Sequence, residues 1–96
     1  METLVLEKSD RFKDELKVII DFIAQDSVTR ALEFYDELIY KVQNIPENPY
    51  LYRARYNSQD KYTRELIFKG YTIPFEIDMK NHKIIILGIF NQNLWG

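Results

Sequence analysis

Thr63-Arg64-Glu65-Leu66-Ile67-Phe68-Lys69-Gly70-Tyr71-Thr72-Ile73-Pro74-Phe75-Glu76-Ile77-Asp78, followed five residues later by Ile84-Ile85-Ile86-Leu87-Gly88-Ile89-Phe90, decides the fold. The first part alternates with period two, as half-buried strands do. Arg64, Leu66 and Phe68 face one way and Glu65 and Ile67 the other; then Tyr71, Ile73, Phe75 and Ile77 oppose Thr72, Glu76 and Asp78. Lys69-Gly70 is the turn between them, glycine taking the positive φ that other residues resist. Met79 to Lys83 reads as a longer turn, and Ile84 to Phe90, apolar on both faces, as the most buried strand. Strands joined by such turns run antiparallel. Pro74 falls in the middle strand, where it has no N–H for the ladder, so a bulge or an N–H-side gap is expected there.

Upstream of the strands the period changes. Thr3-Leu4-Val5-Leu6-Glu7 is a short β-prone stretch and a first strand. Ser9 or Asp10 can cap the helix that follows. Phe12, Leu16, Ile19, Ile20 and Ile23 then recur as one apolar stripe over roughly four turns. Ala24 to Ser27 is too short for anything but a tight reversal, with Asp26 or Ser27 as the next cap. A second stripe, Val28, Ala31, Leu32, Tyr35, Leu38, Ile39, Val42 and Ile45, makes a second helix ending near Asn44. Two amphipathic helices so closely joined lie antiparallel. Pro46 and Pro49 are expected to fix an extended connection. The fold expected is α+β: a short N-terminal strand, a two-helix hairpin, then an antiparallel sheet of three to four strands with one face under the helices.

Ninety-six residues suit a single domain, 1–96, that buries roughly 60–65% of the surface its unfolded chain exposes. A hydrophobic content of 46% with 29% charged residues is ordinary for a soluble globular chain. No apolar run approaches the roughly 20 residues of a membrane span, and the first residues lack the basic flank of a signal peptide. The absence of cysteine excludes disulfides and thiolate zinc sites and is compatible with a reducing cytoplasm. Net charge is -2, unevenly spread: residues 1–49 hold 11 acidic and 6 basic side chains, residues 50–96 hold 4 and 7. A cationic half on an acidic chain can mark a face for a polyanionic partner, or reflect helix surface composition alone.

The order of elements, the Arg64-Glu65-Leu66 before the hairpin, the Lys69-Gly70-Tyr71 turn and the Ile-rich last strand resemble the RelE/ParE family of toxins from type II toxin–antitoxin pairs, over nearly the whole chain. The resemblance implies growth arrest or plasmid stabilisation in the cytoplasm, no cofactor and no metal, and neutralisation by a cognate antitoxin. RelE-like members cut messenger RNA on the ribosome; ParE-like members poison DNA gyrase. Metal-free RNA cleavage needs groups that take and give protons and stabilise a pentavalent phosphate. RelE-like enzymes keep an arginine and an aromatic or histidine after the final strand, where this chain has Asn91-Gln92-Asn93-Leu94-Trp95-Gly96. The resemblance therefore points to the ParE branch or to another target, and leaves the catalytic residues unassigned. A ribosome-dependent endonuclease and a non-toxic binding module that keeps the fold remain alternatives.

Candidate contacts with a target or antitoxin are Tyr52, Arg53, Arg55, Arg64 and Lys69, on the exposed sheet face and the Tyr50–Tyr56 segment. Arginines interleaved with tyrosines suit base stacking and backbone contact, although proline-preceded tyrosines also simply tie loops to a core. Arg64 has a structural reading too, its stem packed over an aromatic such as Tyr71. Lys69 and the lone His82 read as solvated turn residues, and Glu76 and Asp78 as solvated strand charges rather than a carboxylate pair. Trp95 is expected to anchor the tail. The antitoxin would mask the cationic surface or buttress the hairpin by adding a helix or a strand.

Overall fold

The computed structural model of the chain describes residues 3–54 and 62–91. In chain order these form β1 (Val5–Lys8), α1 (Asp10–Asp26), α2 (Val28–Gln43), two 3-10 turns (Ile45–Glu47 and Pro49–Leu51), β2 (Arg53–Ala54), β3 (Thr63–Phe68), β4 (Tyr71–Asp78), β5 (Lys83–Ile86) and β6 (Phe90–Asn91). No helix among the described residues is long and apolar enough to cross a membrane.

The helical hairpin turns on a single residue. Ser27 ends α1, its N–H bonding to the Ile23 carbonyl, and begins α2, its hydroxyl accepting from the Arg30 N–H at 3.2 Å. Ser9 caps α1 in the same way, accepting from the Phe12 N–H at 3.1 Å. The buried row of α2 is Ala31, Phe34, Leu38 and Val42, continued by Ile45. It differs from the expected stripe: Phe34 is inside, whereas Val28, Leu32 and Tyr35 are 64%, 60% and 40% exposed. The Phe34 ring lies 5.3 Å from Phe68 and 5.6 Å from Tyr71, and this aromatic contact rotates the helix toward its larger side chain.

The described strands form one sheet in the order β1-β5-β4-β3-β2, with β6 against β4. The expected meander is β3–β4–β5, antiparallel throughout. Its faces follow the alternation: Leu66, Phe68, Ile73, Phe75, Ile77, Ile84 and Ile86 enter the core with Phe12, Leu16 and Leu38. Two short strands extend it. β2 joins the β3 edge, and β1 pairs in parallel with β5, Val5 opposite Lys83 through Lys8 opposite Ile86. The sheet is therefore mixed at one rim.

Ile84 to Phe90 is not one continuous strand, because of Pro74. The β4–β5 ladder stops at Phe75 opposite Ile86 and resumes at Thr72 opposite Phe90. Between these pairs, Ile73 and Pro74 face Leu87, Gly88 and Ile89, two residues against three, which is a β-bulge. The Pro74 carbonyl accepts the Leu87 N–H at 2.9 Å. A strand residue directs its N–H and C=O to the same neighbour, so the donor that proline lacks falls on the bulged side. α1 completes the bulge. The Ser9 hydroxyl donates to the Leu87 carbonyl at 3.0 Å, and the Ile89 N–H donates to Glu15 Oε1 at 3.1 Å. A Cβ on Gly88 would lie 2.5 Å from that same Glu15 oxygen, so any other residue there would push the carboxylate aside from its present place against the strand.

Gly88→Ala is expected to displace Glu15 and destabilise the fold by about 1–2 kcal/mol, the order of a hydrogen bond to a charged acceptor. Glu15→Ala should cost a similar amount, and the double variant little more than either alone, because both remove one interaction. Denaturant unfolding of the three variants checks this; additive losses would show that Gly88 acts independently of Glu15.

Candidate functional site

The connection from α2 to the sheet is not extended. Pro46 and Pro49, both buried, are the second and the first residue of the two 3-10 turns, since a proline fits the opening of a helical turn, where no N–H partner is needed. The two turns fold Asn44 to Tyr52 into a knuckle at the end of the sheet. Its outer side carries Leu51, 81% exposed, and Tyr50, 47% exposed. Its inner side carries Tyr52, whose ring stands edge-on to buried Phe75 at 5.5 Å. Burial, with a smaller contribution from the Glu47 charge, raises the Tyr52 phenol above its usual pKa. Beside it Asn44, Glu47, Asn48, Leu51 and Tyr52 line a shallow cleft of about 250 Å³.

Arg53 follows at the start of β2, directly opposite Glu65. Its Nε lies 2.7 Å from Glu65 Oε1; the arginine side chain is 58% exposed, the carboxylate only 5%. A buried carboxylate thus holds the guanidinium in place while leaving much of it in water. Arg64 takes the other side of the sheet, in register with Ala54 and Phe75. The expectation that Arg53 and Arg64 share the exposed face is therefore corrected. Period-two alternation puts Arg64 in line with Leu66 and Phe68, on the helix side. There its Nη1 donates to the Tyr52 carbonyl at 3.0 Å and the guanidinium stands 5.5 Å from the Tyr50 ring centre, rather than over Tyr71.

Lys69 lies elsewhere. It sits at the far end of β3, four residues or roughly 13 Å beyond Glu65. Both turn residues have positive φ, 48° at Lys69 and 85° at Gly70, the pattern of a tight type I′ hairpin. Its Nζ lies 2.9 Å from Glu37 Oε2, tying the turn to α2 instead of projecting freely. Arg55, Tyr56 and Trp95 fall outside the described residues. The structure therefore gathers Tyr50, Leu51, Tyr52, Arg53 and Arg64 at one edge of the sheet, a cationic and aromatic corner in which Arg53 and Arg64 lie on opposite faces, and it separates Lys69 from them. The arginine, tyrosine and large apolar side chains of this corner are of the kind that anchor protein interfaces. Leu51 and Glu65 were not among the residues expected from sequence. The exposure of Leu51 depends on the 3-10 knuckle, and the burial of Glu65 on strand register, neither of which spacing reveals.

The remaining candidates are peripheral. His82 is an exposed turn residue with φ of 54°. Glu76 is exposed, and Asp78 caps the β4–β5 turn, accepting from the Asn81 side chain at 2.9 Å and its backbone N–H at 3.1 Å. Those two bonds hold the Asp78 carboxyl below its usual pKa. Among the described residues, no cluster of three His, Cys, Asp or Glu side chains could hold a metal ion.

A model of the ParE toxin of type II toxin–antitoxin systems, parDE, matches residues 6–93. Among solved structures, one described as a chromosomal ParDE TA system from P. aeruginosa superposes with a TM-score of 0.75 at 18% sequence identity, covering 93% of this chain and 96% of that one. At that identity the likeness speaks for the fold. No curated protein matches by sequence.

Two measurements test this geometry. Arg53→Ala removes a charge-assisted bond to a buried acceptor and is expected to lower stability by about 1–2 kcal/mol, read by denaturant unfolding; an unchanged midpoint would leave Glu65 without need of Arg53. Asp78, depressed in the folded state, stabilises the fold above its unfolded-state pKa, about 3.9, and loses that contribution as pH falls through its lower folded value. An acid titration of the thermal midpoint should therefore fall less steeply in this range for Asp78→Asn than for the unmodified chain.

Proposed function

Because the chain belongs to the ParE toxin family of type II toxin–antitoxin systems, we propose that it arrests growth by binding DNA gyrase in the cytoplasm and trapping it, until a cognate antitoxin covers the chain. Its standing as a toxin follows from the family; the target is our reading. The supporting observation is the placement of the described cations. Arg53 is tied to Glu65, Arg64 to the Tyr52 carbonyl on the opposite face, and Lys69 to Glu37 at the far end of β3. RNA cleavage requires basic and acidic groups converging on one phosphate. Cations held apart by separate structural partners suit adhesion, with gyrase supplying the bond breaking. The contact surface in this reading is the corner of Tyr50, Leu51, Arg53 and Arg64, with Arg55 adjoining in the sequence.

The test is a supercoiling assay with purified gyrase beside a reconstituted translation system. Inhibited supercoiling with intact messenger RNA is expected, and induced cells should filament with a DNA-damage response. Cut messenger RNA with normal supercoiling would replace this reading with the ribosome-dependent endonuclease. Unimpaired growth on induction would replace it with the non-toxic binding module. Leu51→Glu, at an 81% exposed position, should weaken gyrase inhibition at least tenfold, about 1.4 kcal/mol or more, without lowering the unfolding midpoint.

A further inference from the structure

Among the described residues, the cations of the corner are balanced by acids. Arg53 and Arg64 stand beside two carboxylates, Glu65, the buried partner of Arg53, and Glu47, whose charge acts on Tyr52. Excess positive charge is what draws a chain to the phosphates of nucleic acid, and a balanced corner offers little of it. Its exposed apolar surface, Leu51 at 81% and Tyr50 at 47%, suits a protein face instead. Arg53 supplies a specific group at that surface. Its bond to Glu65 runs through Nε, and 58% of the side chain is exposed. The two Nη nitrogens, whose paired N–H groups match the two oxygens of a carboxylate, are thereby left to a partner. Arg64 is engaged differently, its Nη1 turned to the Tyr52 carbonyl on the opposite face.

We propose that Arg53 receives a carboxylate of a protein partner, both Nη nitrogens forked onto its two oxygens, with an apolar side chain of the same partner seated against Leu51 and Tyr50. With gyrase as the target, on which this inference rests, the chain grasps an acidic residue of the enzyme itself rather than the DNA that the enzyme holds. Glu65 makes the grip specific. It fixes the Nε edge of the guanidinium from below and, being only 5% exposed, does not itself confront the incoming acid at the surface.

Purified gyrase without DNA and a short DNA duplex without gyrase are the two probes, each titrated with the full chain by calorimetry. Binding to DNA-free gyrase is expected, weakening less than about tenfold between about 50 and 200 mM salt, where a set of phosphate contacts loses about a thousandfold or more. The duplex alone should not bind at the higher salt. Arg53→Lys keeps the charge but not the fork and should weaken binding to gyrase about tenfold, with its unfolding midpoint recorded to show that it is folded. Binding to the duplex, a salt loss of about a hundredfold or more, or an Arg53→Lys chain that binds as the unmodified one does would overturn the inference. Capture of gyrase only in the presence of DNA, with supercoiling still inhibited, would overturn it too, leaving the target in place and moving the contact to nucleic acid. Supercoiling left uninhibited would overturn the target and this inference together.

Discussion

The sheet and the first helix are joined through the backbone of Leu87–Ile89. Proline in a central strand leaves one ladder position without a donor, and here the neighbouring strand answers with an extra residue. Such a detour frees backbone groups that would be costly if left without partners. Ser9 and Glu15, at the start of α1 and about two turns in, satisfy two of them. Contacts at two heights on one helix fix both its rotation and its position over the sheet. α2 inherits that placement, because Ser27 alone separates the helices and Phe34 must still reach Phe68 and Tyr71. The core is the outcome of this chain of constraints as much as of hydrophobicity.

The cationic corner depends on the same sheet at its opposite edge. Ion pairs between exposed side chains, such as Lys69 with Glu37, contribute little to stability. Arg53 with Glu65 differs because one partner is buried, so the arginine is positioned more firmly than a surface side chain usually is. A guanidinium already held in place loses less freedom when it meets a partner. The knuckle at Pro46 and Pro49 does the same for Tyr50 and Leu51 by making the backbone beneath them rigid.

Much of this was legible in the residues themselves. The caps, a tight reversal within Ala24–Ser27 (which the structure narrows to Ser27, α1 running on through Asp26), the helix end near Asn44, both faces of β3 and β4, and the disturbance at Pro74 all rest on local chemistry. What could not be read depended on tertiary partners. Phe34 displaced Val28, Leu32 and Tyr35 from the expected stripe because two distant aromatics offered it a slot. The Ile84–Phe90 run looked continuous since a bulge leaves no mark in apolar composition, although Gly88 hints at a close approach. β1 was placed as a strand but not as a parallel one, as pairing sense is set by the path of everything between. At the candidate site, the residue types were evident and their grouping was not: alternation separates Arg53 from Arg64, and the hairpin carries Lys69 away to α2.

The parallel rim has a consequence for synthesis. β1 lies beside residues 83–86, and the Ser9–Leu87 bond spans 78 positions. Closing so long a loop precedes any gain from the contacts it permits. While a ribosome is still extending the chain, the opening strand and the first helix have no β5 or bulge to engage. A nascent polypeptide that lacks residues 83–91 has a helical pair over an incomplete ribbon, with nothing for β1 to lie beside. Order at the start of the chain therefore comes late, once residues 83–89 are there to pair with β1 and to bond Ser9 and Glu15.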